Sequence, residues 1–353
     1  MATYRVACIG TGPDPETPVW GESAAMAYRH AAGYRKLDNC DIVACADLVR
    51  ENANAFAAEF DIDDEHVYED YTEMLSSAQP DVVSICTPVP THATIVVDCA
   101  ESGVPDAIHC EKPMATTWND CQRMARVCED AGVQLTFNHQ RRFDERWTEA
   151  KRLLDDGVIG DLRRIEMGGK NIFDYGSHLV DLCNYFTDGA AAEWILGGID
   201  YRTEDVRYGA HNENHALAQW VYENGVSALA ATGGGEGLVG CHHRLVGTDG
   251  EIEVLPEDGP ALRVRRGDEW ESKQVDGGPA LHRAVEHVVT SLDEDVEPDL
   301  SSARALESTE IIYAVWESAR CRGRVDLPLD IEDNPLEAMV DAGALSPSPA
   351  DDD

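Results

Sequence analysis

Residues 108–114 read Ile-His-Cys-Glu-Lys-Pro-Met. A short apolar strand runs into a Glu-Lys-Pro turn, and an amphipathic helix follows at once. That helix starts at Trp118 behind the cap residue Thr117, places Cys121, Met124, Ala125 and Cys128 on one face, and stops at Gly132. A lysine at the carboxyl end of a buried strand sits where open α/β sheets bind their ligands. Lys112 is therefore read as a positioned cation. The alternative, a solvated Glu111-Lys112 turn, is less comfortable in a chain with five lysines, Lys36, Lys112, Lys151, Lys170 and Lys273.

Upstream, the apolar strand from Tyr4 to Ile9 enters Gly10-Thr11-Gly12, where glycines would let the backbone approach a pyrophosphate. The third glycine of the usual fingerprint does not arrive on schedule. The loop continues to Gly21, with Ser23 as the expected cap of a helix reaching about Ala32. A second strand, Ile42 to Ala46, ends at Asp47. An acid there can accept both ribose hydroxyls of NAD and repels a 2′-phosphate, so NAD is favoured over NADP, although Arg50 is near enough to serve a phosphate. Asp81 to Cys86 is a continuous apolar strand followed by Thr87, Pro88 and, four residues later, His92. Apolar strands alternating with amphipathic helices predict a parallel sheet covered on both faces, a doubly wound Rossmann domain closed by the strand Val133 to Asn138.

Downstream, Arg141, Arg142 and Phe143 open a predicted helix to about Asp156, and Leu162 to Met167 is a strand. In the segment 171–186, Asp174, His178 and Asp181 fall at spacings of four and three, which on a helix places all three on one face. A histidine beside a carboxylate can take up a proton near neutral pH. From Glu193 on, short strands joined by Glu223-Asn224-Gly225 and Thr248-Asp249-Gly250 turns predict a large, mainly antiparallel open sheet in an α+β domain. Helices at 141–156, 176–187, 281–293 and 301–322 would cover one face, and a second subunit the other, giving a homodimer or homotetramer. His211 and His215 lie on a strand pattern too far apart to share a metal, so none is expected. The tail beyond Leu329 reads as mobile or docked on a neighbour.

Composition bounds the partners. The chain has 353 residues, too many for one ordinary core, and 43% hydrophobic content fills two. Its net charge of -39 comes from 67 acidic against 28 basic residues spread along the chain. Nucleic acid and anionic membranes are excluded as partners by that charge. The lysine deficit and the acid excess point to a haloarchaeal, salt-in cytoplasm, where at about 1 M salt the screening length falls to roughly 3 Å. No run of 18 apolar residues and no secretory leader is read, and the eleven cysteines show no C-x-x-C, as suits a reduced cytoplasmic protein.

The Glu111-Lys112-Pro113 turn, the Gly10-Thr11-Gly12 loop and the Asp174-Tyr-Gly-Ser-His178-Leu-Val-Asp181 segment, in that arrangement, resemble the glucose-fructose oxidoreductase/inositol dehydrogenase/rhizopine catabolism (Gfo/Idh/MocA) family. The resemblance runs from Tyr4 to about Leu329. It implies catalysis by Lys112, Asp174 and His178, and a cofactor site of Gly10, Thr11, Gly12, Asp47, Thr87, Pro88, His92, Glu111, Lys112 and Asn138. A cis Lys112-Pro113 bond is also common in that family. Substrate would meet Lys112, Arg142, Asp174, His178 and Asp181, with Asp181 alternatively a helix-packing partner. The excursion before Tyr175 is shorter than usual, so substrate class transfers poorly. The expected domains are 1–138 (NAD(P)-binding), 139–330 (substrate-binding and oligomerisation) and 331–353 (tail). The expected activity is NAD(P)-dependent hydride transfer on a sugar or polyol. The alternatives are a glycosidase-type oxidation-elimination-reduction, or a non-catalytic dinucleotide sensor.

Overall fold

The computed structural model describes residues 3–13 and 26–349. Gly21 and Ser23, the expected loop end and helix cap, lie outside the described residues. The chain divides into two compact units: Met1–Thr116 with Asp120–Asn138 and Leu281–Ala305, and Thr117–Asn119 with His139–Ala280 and Leu306–Asp353.

The first unit holds strands β1 (Tyr4–Ile9), β2 (Cys40–Ala46), β3 (Val67–Tyr68), β4 (Val82–Ile85), β5 (Ala107–Cys110) and β6 (Gln134–Phe137), in the order β3-β2-β1-β4-β5-β6. All pairings are parallel. Both β4 and β5 are buried along their whole length, which is why their sequences are unbroken by charge. The connecting helices are α1 (Met26–Tyr34), α2 (Arg50–Phe60), α3 (Tyr71–Ala78), α4 (Val89–Glu101) and α5 (Trp118–Ala131). The strand order reverses between β1 and β4, and the crevice above that point is where such sheets bind ligands.

The second unit carries β7 (Leu162–Gly169), β8 (Ala192–Asp200), the small hairpin β9 (Val206–Arg207) and β10 (Ala210–His211), and β11 (His215–Tyr222), β12 (Ser227–Thr232), β13 (Cys241–Gly247), β14 (Glu251–Pro256), β15 (Leu262–Arg266), β16 (Glu269–Lys273) and β17 (Val325–Asp326). Its nine-stranded sheet runs β16-β15-β14-β13-β7-β12-β11-β8-β17, antiparallel except between β12 and β7. Its helices are α6 (Glu145–Asp155), α7 (Gly176–Phe186) and α10 (Pro335–Asp341), with most of α9 (Ser302–Cys321). On β11 the alternation is clean: Ala216, Ala218, Trp220 and Tyr222 are buried, while Leu217 is 46% exposed. The open face is apolar near Leu196 and Leu217. On β7, β13, β14 and β15 it becomes a charge ladder in which Arg164 and Arg244 hold Glu166, and Arg244 and Arg263 hold Glu253.

Four expectations change. Helix α8 (Ala280–Glu294), expected on the second sheet, buries Val285 and Val289 among Val6, Tyr34, Val82 and Ala107 of the first unit. A Cβ on Gly33 would stand 3.2 Å from the Val285 side chain, so glycine lets α1 and α8 approach. Arg141, Arg142 and Phe143 form a 3-10 turn (Gln140–Phe143), because Asp144 caps α6 by accepting from the Arg146 N–H at 3.0 Å. Asp174 stands outside the helix, in the turn before α7, so the three-residue helical face does not form. The tail docks on its own unit: Asn334 caps α10, Leu336 is fully buried, and Ser348 bridges to Thr203.

All eleven cysteines are free thiols; nine are buried, Cys86 is half-buried and Cys321 is exposed. Burial pushes the Cys40 thiol up to about 11 and the Cys45 thiol to about 12. No described helix is long and apolar enough to cross a membrane.

His243 on β13 ties the second unit together. Its Nδ1 accepts from the Trp147 indole of α6 at 3.0 Å and its Nε2–H donates to the Leu179 carbonyl of α7 at 3.0 Å, so one neutral tautomer satisfies both. Burial pushes its pKa down to about 3. A folded-state pKa below the ordinary value of about 6.5 gives stability that is present above that pH and lost as the pH falls toward 3. His243→Ala is expected to cost about 2–4 kcal/mol near pH 7.5 in denaturant melts, and the gap to the parent should narrow by pH 5. An equal gap at both pH values would contradict the neutral clamp.

Candidate active site

Gly10 and Gly12 both have positive φ (80° and 67°), the left-handed region that favours glycine. A Cβ on Gly10 would lie 2.5 Å from the Thr87 Cγ2, so the end of β1 can pass this close to the end of β4 only as glycine. Asp47, at the end of β2, holds the loop: its Oδ2 accepts from the Gly12 N–H at 2.9 Å and the Thr11 hydroxyl at 3.1 Å, and its Oδ1 accepts from the Val49 N–H at 2.9 Å. Each carboxylate oxygen can accept more than one hydrogen bond, so ribose hydroxyls could still be received there. Arg50 is turned to the Val67 carbonyl at 2.7 Å and to Asn54. Pro88 precedes α4, and the Thr91 hydroxyl donates to Thr87 Oγ1 at 2.8 Å. His92 is fully buried, with Nε2 2.8 Å from the Thr87 carbonyl and Nδ1 3.0 Å from that of Pro113. It braces the ends of β4 and β5 against each other, and burial lowers its pKa.

The turn after β5 rests on a buried network. Glu111 Oε1 lies 2.8 Å from His30 Nε2 and accepts from Asn138 Nδ2 at 2.6 Å. His30 Nδ1 lies 2.7 Å from the Ser84 hydroxyl, and the His30 ring packs on His109 with centroids 4.9 Å apart. Burial raises the Glu111 pKa, but His30, Lys112 and Asn138 more than offset it and hold the carboxyl at about 2. His109 is pushed down to about 3 by burial and by His30. Lys112 follows directly, half-buried, and the Lys112-Pro113 bond is cis.

In the second unit, Arg142 forks onto Asp181 with Nε–Oδ2 2.7 Å and Nη2–Oδ1 2.8 Å, both side chains nearly fully buried. His139 Nδ1 stands 3.4 Å from Asp181 Oδ1, and its ring meets that of His178 edge-on with centroids 5.9 Å apart. Burial raises the Asp181 pKa, yet Arg142 and His139 outweigh it and leave the carboxyl well below the usual range. Arg142 and Asp181, expected at substrate, are thus engaged with each other.

Asn212 Oδ1 accepts from the Asp174 N–H at 3.0 Å, and Glu213 Oε1 accepts from the Ile172 N–H at 2.6 Å. Together they pin the turn that presents Asp174. Glu213 is fully buried, and burial pushes it up to about 7 although Ile172 and Trp316 donate to it. Tyr175 carries the Arg141 guanidinium 4.3 Å from its ring centroid, and its hydroxyl lies 3.1 Å from His242 Nε2. His30, His139, Asn212, Glu213 and Tyr175 were not singled out from sequence as site residues. The signal available was polar residues inside apolar stretches, as at His109 between Ile108 and Cys110. Among the described residues no group of three His, Cys, Asp or Glu could hold a metal.

Asp181→Ala strands a buried guanidinium. It is expected to cost about 3–5 kcal/mol in denaturant melts, while Asp181→Ala/Arg142→Met should recover much of that loss. A single variant as stable as the parent would contradict the buried pair.

Residues 19–139 match the family model described as "Oxidoreductase family, NAD-binding Rossmann fold" (GFO_IDH_MocA). The 2,7-anhydro-N-acetylneuraminate hydratase of Mediterraneibacter gnavus is 33% identical over 160 residues, 45% of this chain, and the match spans 38% of that relative's length. The D-xylose 1-dehydrogenase [NADP(+)] of Haloarcula marismortui is 24% identical over 92% of this chain and 93% of its own. Among solved structures, the aldose-aldose oxidoreductase of Caulobacter crescentus complexed with glycerol shares the fold with a TM-score of 0.75 at 20% identity, covering 92% of this chain and all of that one. Over residues 19–139, about a third of its length, the chain is thus similar to the Gfo/Idh/MocA oxidoreductase family, and that stretch includes Asp47 and the buried network under Lys112.

Proposed function

We propose that this chain is an NAD(P)-dependent oxidoreductase that moves a hydride between a sugar or polyol hydroxyl and nicotinamide. The observation that carries the reading is the Gly10 approach to Thr87 beneath a loop held by Asp47. It leaves backbone and a ribose acceptor at the switch point of a parallel sheet, and the residues present fit a dinucleotide. Gly10, Thr11, Gly12, Asp47, Thr87 and Pro88 would hold it, with Glu111, His92 and Asn138 fixing the walls from inside. The bound nicotinamide supplies the hydride acceptor. His178 takes the hydroxyl proton as the C–H electron pair leaves and the carbonyl forms. Asp174 stabilises the imidazolium, and Lys112 polarises the reacting oxygen.

A second reading keeps the cofactor with no net redox. The hydratase relative favours it, since hydration consumes no oxidant. The acid excess supports a salt-loving cytoplasmic protein, and the apolar patch at Leu196 and Leu217 supports association of copies through the open sheet face.

In about 2 M KCl, NAD and NADP should bind by calorimetry, and a sugar panel should generate NADH or NADPH absorbance. Lys112→Ala and His178→Ala are each expected to lower kcat by about 10²–10⁴-fold with dinucleotide binding retained, and Gly10→Ala to lose dinucleotide binding. Turnover without reduced cofactor would select the second reading. A folded protein that binds neither dinucleotide would remove both.

A further inference from the structure

In a chain of net charge -39, cations normally sit against carboxylates. Lys151 and Lys273 are in ion pairs, and so are most arginines of the second unit. Arg141 and Lys170 lie close together outside that pattern. Among the described residues, neither Arg141 nor Lys170 has a carboxylate oxygen within 4.0 Å.

Both cations are gathered on one ring. Arg141 lies with its guanidinium carbon 4.3 Å from the Tyr175 centroid and 5.6 Å from that of Trp147, so it is held between two aromatic faces. Lys170 Nζ stands 5.7 Å from the same Tyr175 ring. Trp147 stacks on His242 with an interplanar angle of 12°, and His242 in turn meets the Tyr175 hydroxyl. Arg141 Nη1 and His242 Nδ1 are buried with no hydrogen-bond partner. An unmet buried donor is costly, and two like charges on one ring add repulsion, unless an anion answers both. Arg146, the third cation nearby, is already neutralised by Asp144. His242 is held neutral, its pKa pushed down to about 4 by burial and by Arg141, Arg146 and Lys170, so it can offer a neutral hydrogen bond.

Tyr175 stands three residues before His178 on the same turn-and-helix segment. We propose that Arg141, Lys170, Tyr175 and His242 form an oxyanion subsite, and that the substrate is an anionic sugar bearing a carboxylate or a phosphate ester. This rests on the oxidoreductase reading for the reaction and on the cation cluster alone for the charge. Arg141 forks onto the oxyanion, Lys170 adds charge from the exposed side, and the Tyr175–His242 pair fixes its orientation.

The test uses the full chain in about 2 M KCl with matched compounds: galacturonate and glucuronate as carboxylates, glucose 6-phosphate as the phosphate ester, galactose and glucose as neutral controls. Thermal shift reads binding with NAD or NADP present, and absorbance reads hydride transfer. Expected is protection by one anionic class and a preference over the neutral partner of about tenfold or more in kcat/KM. In Arg141→Gln that preference should fall by about tenfold, mostly through KM, with a smaller fall in Lys170→Gln. Which anions protect tells carboxylate from phosphate. Equal performance of anionic and neutral sugars, as when chloride fills the cluster, or a preference that survives Arg141→Gln, overturns the subsite. Anion protection lost in Arg141→Gln but without reduced cofactor would keep the subsite and reject the hydride reading; hydride transfer confined to neutral sugars would do the reverse.

Discussion

A carboxylate kept ionised inside a protein needs its solvation replaced, and Glu111 shows how this unit does so. Burial opposes the charge, and His30, Asn138 and the neighbouring Lys112 more than restore it. The partners come from α1, from the end of β6 and from the turn itself, so one charge ties together three elements, the outer two 108 residues apart in the chain. Remove the carboxylate and the buried His30 ring loses its 2.8 Å partner, while Asn138 Nδ2 loses its acceptor. His92 in turn contacts the carbonyl of Thr87, the residue that Gly10 approaches so closely.

The second unit solves a related problem with different parts. The neighbours of His178 are held on several sides. Arg142 and Asp181 lock α7 from within, His243 fastens it to α6, and Asn212 and Glu213 pin the turn before it. Every residue of α7 except Tyr185 is buried, and Tyr185 lies under the Arg142 guanidinium. Such a setting suits chemistry that depends on alignment more than on motion.

The strands were legible because their composition follows from burial: β4 and β5 are covered on both faces and carry no charged residue, while β11 alternates and reads as half-covered. The glycine loop and the lysine turn were legible because each demands particular residues at fixed spacing. What stayed hidden depends on contacts between distant positions. Nothing local distinguishes α8 from a helix of the second sheet, since an apolar stripe does not say which core it will meet. Likewise the arginine pair 141–142 is two adjacent identical residues. Only the 3-10 turn sends one into Asp181 and the other between Tyr175 and Trp147. The spacing of Asp174 from His178 suggested a helical face, but the helix begins between them, at Gly176.

The burial of the thiols has a chemical consequence. The reactive form of cysteine is the thiolate, and burial pushes thiols such as Cys45 up, so little of it is ionised at neutral pH. Burial therefore protects nine of the thiols of the folded chain from peroxides and alkylating agents. An unfolded chain presents eleven thiols with ordinary acidity. Oxidants thus sort the population by conformation, sparing what is folded and marking what is not, and for this protein oxidative ageing becomes a record of how often each molecule has opened.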